Sequence, residues 1–144
     1  MGTMTKTMKQ YIKRNNIRVE VTRDRGAQAD PDGWEHHAYV LRLVWDDGAQ
    51  SRFMDDIPWR QGYGIETTPD EEPATVLDAL VSDANAYDQA RSFEDFCNEF
   101  GYDTDSRRAA EAMYLACGET LKKLVTFLGG RDEYEQLAYD VERI

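Results

Sequence analysis

His37-Ala38-Tyr39-Val40-Leu41-Arg42-Leu43-Val44-Trp45, running straight into Asp46-Asp47-Gly48, is the stretch whose reading decides the fold. Tyr39, Leu41, Leu43 and Trp45 share one side of an extended chain, and Ala38, Val40 and Val44 share the other. A short run that is apolar on both sides reads as a covered, central strand. Asp46-Asp47-Gly48 is a strong hairpin signal, because Asp-Gly pairs tolerate the positive φ that tight hairpins need. A shorter strand follows around Gln50 to Met54. Upstream, Ile17, Val19 and Val21 alternate with Arg18, Glu20 and Thr22, the pattern of a half-buried strand. Gly26-Ala27-Gln28-Ala29-Asp30-Pro31-Asp32-Gly33 reads as a turn-rich loop between the two. Three antiparallel strands over residues 16–56 are the economical solution.

After residue 72 the apolar period changes from two to 3.6. Pro73 suits a first helical turn, and Val76, Leu77, Leu80 and Ala84 then fall on one face. Ser92 with Asp95 resembles a capping box for a short helix carrying Phe93, Phe96, Cys97 and Phe100 inward, with Gly101 as its stop. Asp105 or Ser106 caps the longest helix, with apolar positions Ala109, Ala110, Met113, Cys117, Leu121, Leu124 and Leu128, closed by Gly129-Gly130. Tyr134, Leu137, Ala138 and Val141 mark a last helix over about 132–141. Strands first and about four helices afterwards define an α+β fold. Trp45, Leu41, Leu43, Phe96, Leu121 and Leu124 are its expected core.

With 144 residues the chain is read as a single domain, 1–144. Residues 1–15 are an N-terminal arm, flexible or helical, 16–56 the sheet, 57–72 a loop and 73–144 the helical part. The loop carries Trp59 and Tyr63, which either close the core or anchor a partner, since both types are common interface anchors.

The net charge is −11, from 17 basic and 28 acidic residues. Its distribution is uneven. Residues 1–25 hold seven Lys/Arg against Glu20 and Asp24, whereas residues 61–106 hold twelve acids against Arg91 alone. Direct DNA binding through a broad basic face is disfavoured, because phosphate contacts need Lys and Arg. No run approaches a membrane span, and the first residues have no apolar h-region, so a cytoplasmic protein is expected. Cys97 and Cys117, twenty residues apart in no metal-binding pattern, read as reduced, buried small hydrophobes.

The usual catalytic constellations are missing from the sequence. His36 and His37 are adjacent on a strand, point to opposite faces and cannot easily share a metal or a proton. Asp103-Thr104-Asp105 begins like a calcium loop, but Arg108 and Tyr114 stand where the loop's Gly and bidentate Glu belong. No enzyme, cofactor or metal is expected. Asp70, Glu71, Glu72, Asp78, Asp83, Asp88, Glu94, Asp95, Glu99, Asp103 and Asp105 fall mostly off the apolar stripes and are expected to form a solvated negative surface. Such a surface either keeps the protein dispersed or fits the basic groove of another protein, since complementary potentials select partners.

The run Ser92-Phe93-Glu94-Asp95-Phe96-Cys97-Asn98-Glu99-Phe100-Gly101-Tyr102-Asp103-Thr104-Asp105-Ser106-Arg107-Arg108-Ala109, continuing to Tyr114 and Cys117, resembles small acidic accessory proteins of phages, prophages and plasmids. The likeness covers about residues 75–128 and implies a genomic setting rather than a mechanism. By analogy with mobile elements that carry acidic anti-defence proteins, some of them DNA mimics, the expected function is inhibition of a host-defence nucleoprotein. The expected partner is a basic nucleic-acid-binding protein in the bacterial cytoplasm, a CRISPR (Cas) effector foremost or a restriction enzyme. Contact would run through Glu71, Glu72, Asp78, Asp83, Asp88, Glu94 and Asp95, or alternatively through Trp59 and Tyr63. The competing expectation is a mobile-element regulator that binds DNA or protein through the basic arm from Lys6 to Arg25. A homodimer is left open.

Overall fold

The elements run α1 (Gly2–Asn15), β1 (Ile17–Ala29), β2 (Glu35–Asp46), β3 (Ser51–Gln61), α2 (Pro73–Gln89), α3 (Phe93–Phe100), α4 (Arg107–Leu128) and α5 (Arg131–Glu142). The structure, a computed structural model, describes residues 2–29, 35–61, 73–100 and 107–142. The strands form one antiparallel sheet in the order β1-β2-β3, and four helices follow it, giving an α+β fold. The chain divides into two compact units: Lys9–Val76, with the sheet, and Met1–Met8 together with Leu77–Ile144, with most of the helices.

In the sheet unit the double-sided strand is central, as its composition requires. Val19, Leu43 and Met54 lie opposite one another across the three strands, and so do Val21, Leu41 and Ile57. Leu41, Leu43 and Val44 have no exposed surface and Tyr39 only 1%. Trp45 departs from the expected core and is half-buried. It sits at the hairpin end of β2, where Tyr11 meets it edge-on at 6.0 Å and the Arg52 guanidinium covers its ring at 4.0 Å.

Both outer strands are longer than their sequences announce. The expected loop at 26–33 is corrected over its first part, because β1 continues through Gly26–Ala29, paired with Ala38–Glu35. Two bulges, between Val21 and Arg23 and between Asp24 and Gly26, absorb the extra residues. At the second, Gly26 takes φ 76° and donates its N–H to Asp24 Oδ1 at 2.9 Å. The expected loop at 57–72 is likewise corrected, since β3 runs to Gln61 with Ile57, Pro58 and Trp59 opposite Leu41, Val40 and Tyr39. Pro58 is tolerated there because β3 is an outer strand, where a missing N–H breaks no ladder. The bulge between Leu41 and Leu43 sets Asp55 and Asp56 of β3 against Arg42 alone, with Arg42 Nε bound to Asp55 Oδ1 and Asp56 at φ 56°.

The Asp46-Asp47-Gly48 turn forms as its residues dictate. Asp47 Oδ1 accepts the N–H groups of Ala49 (3.0 Å) and Gln50 (2.6 Å), and Gly48, at φ 90°, donates to Asp46 Oδ1 (3.0 Å). The Gln50 and Ala49 N–H groups hold the Asp47 carboxyl below the ordinary 3.8. A depressed carboxyl stabilises the fold above its unfolded pKa and loses that effect as pH falls through the folded value. Asp47→Ala is therefore expected to lower the thermal midpoint near neutral pH, with the gap to the parent closing as pH drops below 3.8. Thermal melts of both proteins across that range check it.

The helical unit follows its 3.6-residue pattern. Ser92 Oγ accepts the Asp95 N–H (3.1 Å), while Asp95 Oδ2 reaches back to the Arg91 N–H (3.0 Å), a capping box displaced by one residue. Phe96 and Cys97 are buried and Phe93 half-buried. The expected caps at Gly101, Asp105 and Ser106 lie outside the described residues. α4 buries Ala110, Cys117, Leu121, Leu124, Phe127 and Leu128. Ala109, expected on that stripe, is exposed, and so is Leu115 at 67%. Gly129 (φ 101°) and Gly130 (φ 134°) end the helix, with the Gly130 N–H on the Val125 carbonyl (2.8 Å).

Inside α4, Gly118 faces a ring at close range. A Cβ there would stand 3.0 Å from Tyr87 Cε2 and 3.1 Å from its Cζ, and the Tyr87 ring itself packs against Tyr114 at 4.9 Å, tilted by 45°. Alanine in a helix interior ordinarily gains about 1 kcal/mol over glycine. For Gly118→Ala that gain is expected to be cancelled or reversed in urea unfolding. A full gain would show that the Tyr87 ring gives way freely.

Candidate partner-binding surface

The acidic positions predicted to meet a partner begin on α2. Asp78, Asp83 and Asp88 are five residues apart, so each is turned about 140° from the one before. They cannot form one face. Val76, Leu77, Leu80, Val81 and Ala84 make the buried stripe, and Asp78 and Asp83 flank it on opposite sides, both half-buried. Asp88 falls on the stripe's own azimuth at the end of the helix. There its Oδ2 accepts a bond from Arg131 Nη2 at 2.7 Å, the Arg131 Nε being bound to Glu135 at 2.8 Å. The exposed positions of α2 are Thr75, Ser82 and Gln89, none of them charged.

Glu94 is exposed on the first turn of α3, and Asp95 is engaged in the cap of that helix. Glu71, Glu72 and Tyr63 lie outside the described residues. Trp59 belongs to β3 and is half-buried, its indole Nε1 buried without an acceptor. Of the predicted acids on α2, then, two are left unneutralised. Asp78 and Asp83 make no hydrogen bond or ion pair among the described residues, and burial raises the pKa of each above the ordinary 3.8.

Asp83 has a neighbour that the sequence reading missed. Cys117 of α4 is buried, and its thiol is pushed up to about 11, by burial first and by the Asp83 charge second. Asp83 comes directly before the buried Ala84 and three residues after Leu80. That phase was the available sign of a flanking position rather than a solvated one.

Lys13 and Arg14 are exposed at the end of α1, whereas Arg18, on β1, is bound to Glu20 (3.2 Å) and Asp46 (3.6 Å). The two histidines of β2 are buried on alternate faces, and His37 Nε2 is bound to Asp24 Oδ1 at 2.5 Å. Among the described residues no cluster of three or more His, Cys, Asp or Glu side chains could hold a metal, and no helix is long and apolar enough to cross a membrane. Comparison with known proteins finds no matching family, no matching curated protein and no matching solved structure.

Proposed function

We propose that this chain is a non-enzymatic inhibitor carried by a mobile element, acting in the cytoplasm of a bacterial host. Its target is a basic nucleic-acid-handling protein of host defence, a CRISPR effector or a restriction enzyme. The observation that carries the reading is the pair Asp78 and Asp83: two carboxylates drawn partly out of water with no donor beside them among the described residues. Desolvated charge left unpaired is costly in an isolated protein and favourable once a Lys or Arg is supplied. The twelve acids within residues 61–106 add a field that steers a cationic partner. The resemblance of residues 92–117 to accessory proteins of phages and plasmids supplies the setting.

Expression in strains carrying defined defence systems, scored by phage plating, tests the proposal. Rescue on one system, with inhibition of its purified effector and no retardation of DNA in a low-salt gel shift, supports it. Retarded DNA without inhibition supports the competing regulator, which the exposed Lys13 and Arg14 of α1 favour. Absence of rescue on every CRISPR and restriction system tested counts against the inhibitor.

A further inference from the structure

Asp83 does not stand alone on its side of α2. Tyr87 follows it by four residues, so the two are neighbours on the helix surface. A long helical side chain leans back over the preceding turn, which sets the Tyr87 ring over the turn that carries Asp83. α4 supplies the opposite wall. The Tyr87 ring packs against Tyr114 at 4.9 Å, and its Cε2–Cζ edge faces Gly118. Cys117, next to Gly118, has its thiol raised by burial and then by the Asp83 charge, which puts that carboxylate on the same seam. One carboxylate and two phenol rings thus meet between α2 and α4.

The seam is reachable and carries an unbalanced charge. Asp83, Tyr87 and Tyr114 are all half-buried, and Asp83 makes no hydrogen bond or ion pair among the described residues. The Arg107 guanidinium comes near, over the Phe93 ring that meets Tyr114 edge-on at 5.5 Å. Glu111 holds it there at 2.8 Å, so it does not neutralise Asp83.

We propose that this seam captures one cationic side chain of the partner, the guanidinium of an arginine. A carboxylate takes the edge of a guanidinium through two parallel N–H···O bonds, and an aromatic ring takes its flat face. An ammonium group matches the charge but offers the rings no plane. An anionic ligand would be repelled by Asp83. The inference rests on the partner-binding reading of Asp83 and narrows it to one side-chain chemistry.

Titration of the ¹⁵N-labelled full chain with N-acetyl-arginine amide, N-acetyl-lysine amide and sodium chloride, at matched ionic strength, tests it by NMR. With the arginine probe, saturable shifts are expected at the amides of Asp83, Tyr87, Tyr114, Cys117 and Gly118. Asp83→Asn should weaken binding about tenfold or more, and Tyr87→Leu about two- to fivefold. Glu133→Gln, which removes the same charge from an exposed position on α5, should leave it unchanged. Sodium chloride or the lysine probe reproducing the shifts with equal affinity overturns the guanidinium site. So does parental affinity in Asp83→Asn, whose spectrum would show the fold intact. No defence protein enters the titration, so its failure overturns this site alone, and failure of phage rescue overturns the inhibitor alone.

Discussion

Leu43→Ala is expected to lower the free energy of unfolding by about 2–5 kcal/mol, the cost of a cavity at a site that cannot collapse. Leu43 is fully buried, and Val19 and Met54 hold it from the two neighbouring strands. These strands fix the backbone on both sides, so relaxation into the void is limited. Leu115→Ala provides the comparison, since Leu115 is 67% exposed and its truncation should fall within about 0.5 kcal/mol. Urea unfolding of the two variants measures the difference. Equal effects would mean that the central strand is not the load carrier of the sheet unit.

The second large effect separates binding from folding. In the double variant Asp78→Asn, Asp83→Asn, affinity for the defence partner should fall by about 2 kcal/mol or more per carboxylate, roughly thirtyfold for each. The isolated protein should meanwhile be as stable as the parent or more so near neutral pH. The sign follows from linkage. A carboxyl whose pKa is raised by folding holds its proton more tightly in the folded chain, so stability declines as pH rises from 3.8 through the raised value. Asparagine removes that decline, and the advantage of the variant should vanish below 3.8. Calorimetric binding at neutral pH and thermal melts across the acidic range read the two arms. Unchanged affinity would move recognition away from α2, with exposed Glu94 and half-buried Trp59 next to be tested.

The sheet was legible wherever its signal is local. β2 announces itself by alternation, and Asp47-Gly48 announces the turn after it. The second halves of β1 and β3 were not legible, because Gly26 and Pro58 punctuate a sequence without saying whether a neighbouring strand continues past them. Pairing with His36 to Ala38 on one side and Tyr39 to Leu41 on the other decides that, and such pairing is long-range information. The acids show the same division. Composition located the charge along the chain, but the use of Asp88 depends on Arg131, 43 residues away, and Asp95 is held by the start of its own helix. Helical phase alone would have separated Asp78 from Asp83, whereas the coupling of Asp83 to Cys117 required the fold.

β1 and β3 are the outer strands, and outer strands expose backbone groups that invite the strand of another molecule. Here neither offers a straight template. Gly26 at φ 76° and two bulges bend β1, while Pro58 removes a donor from β3 and Asp56 at φ 56° breaks its line. Backbone shape thus disfavours edge-to-edge pairing independently of like-charge repulsion. Close to the isoelectric point of about 4.6, where that repulsion disappears, these bent edges are expected still to disfavour a fourth strand from a neighbour.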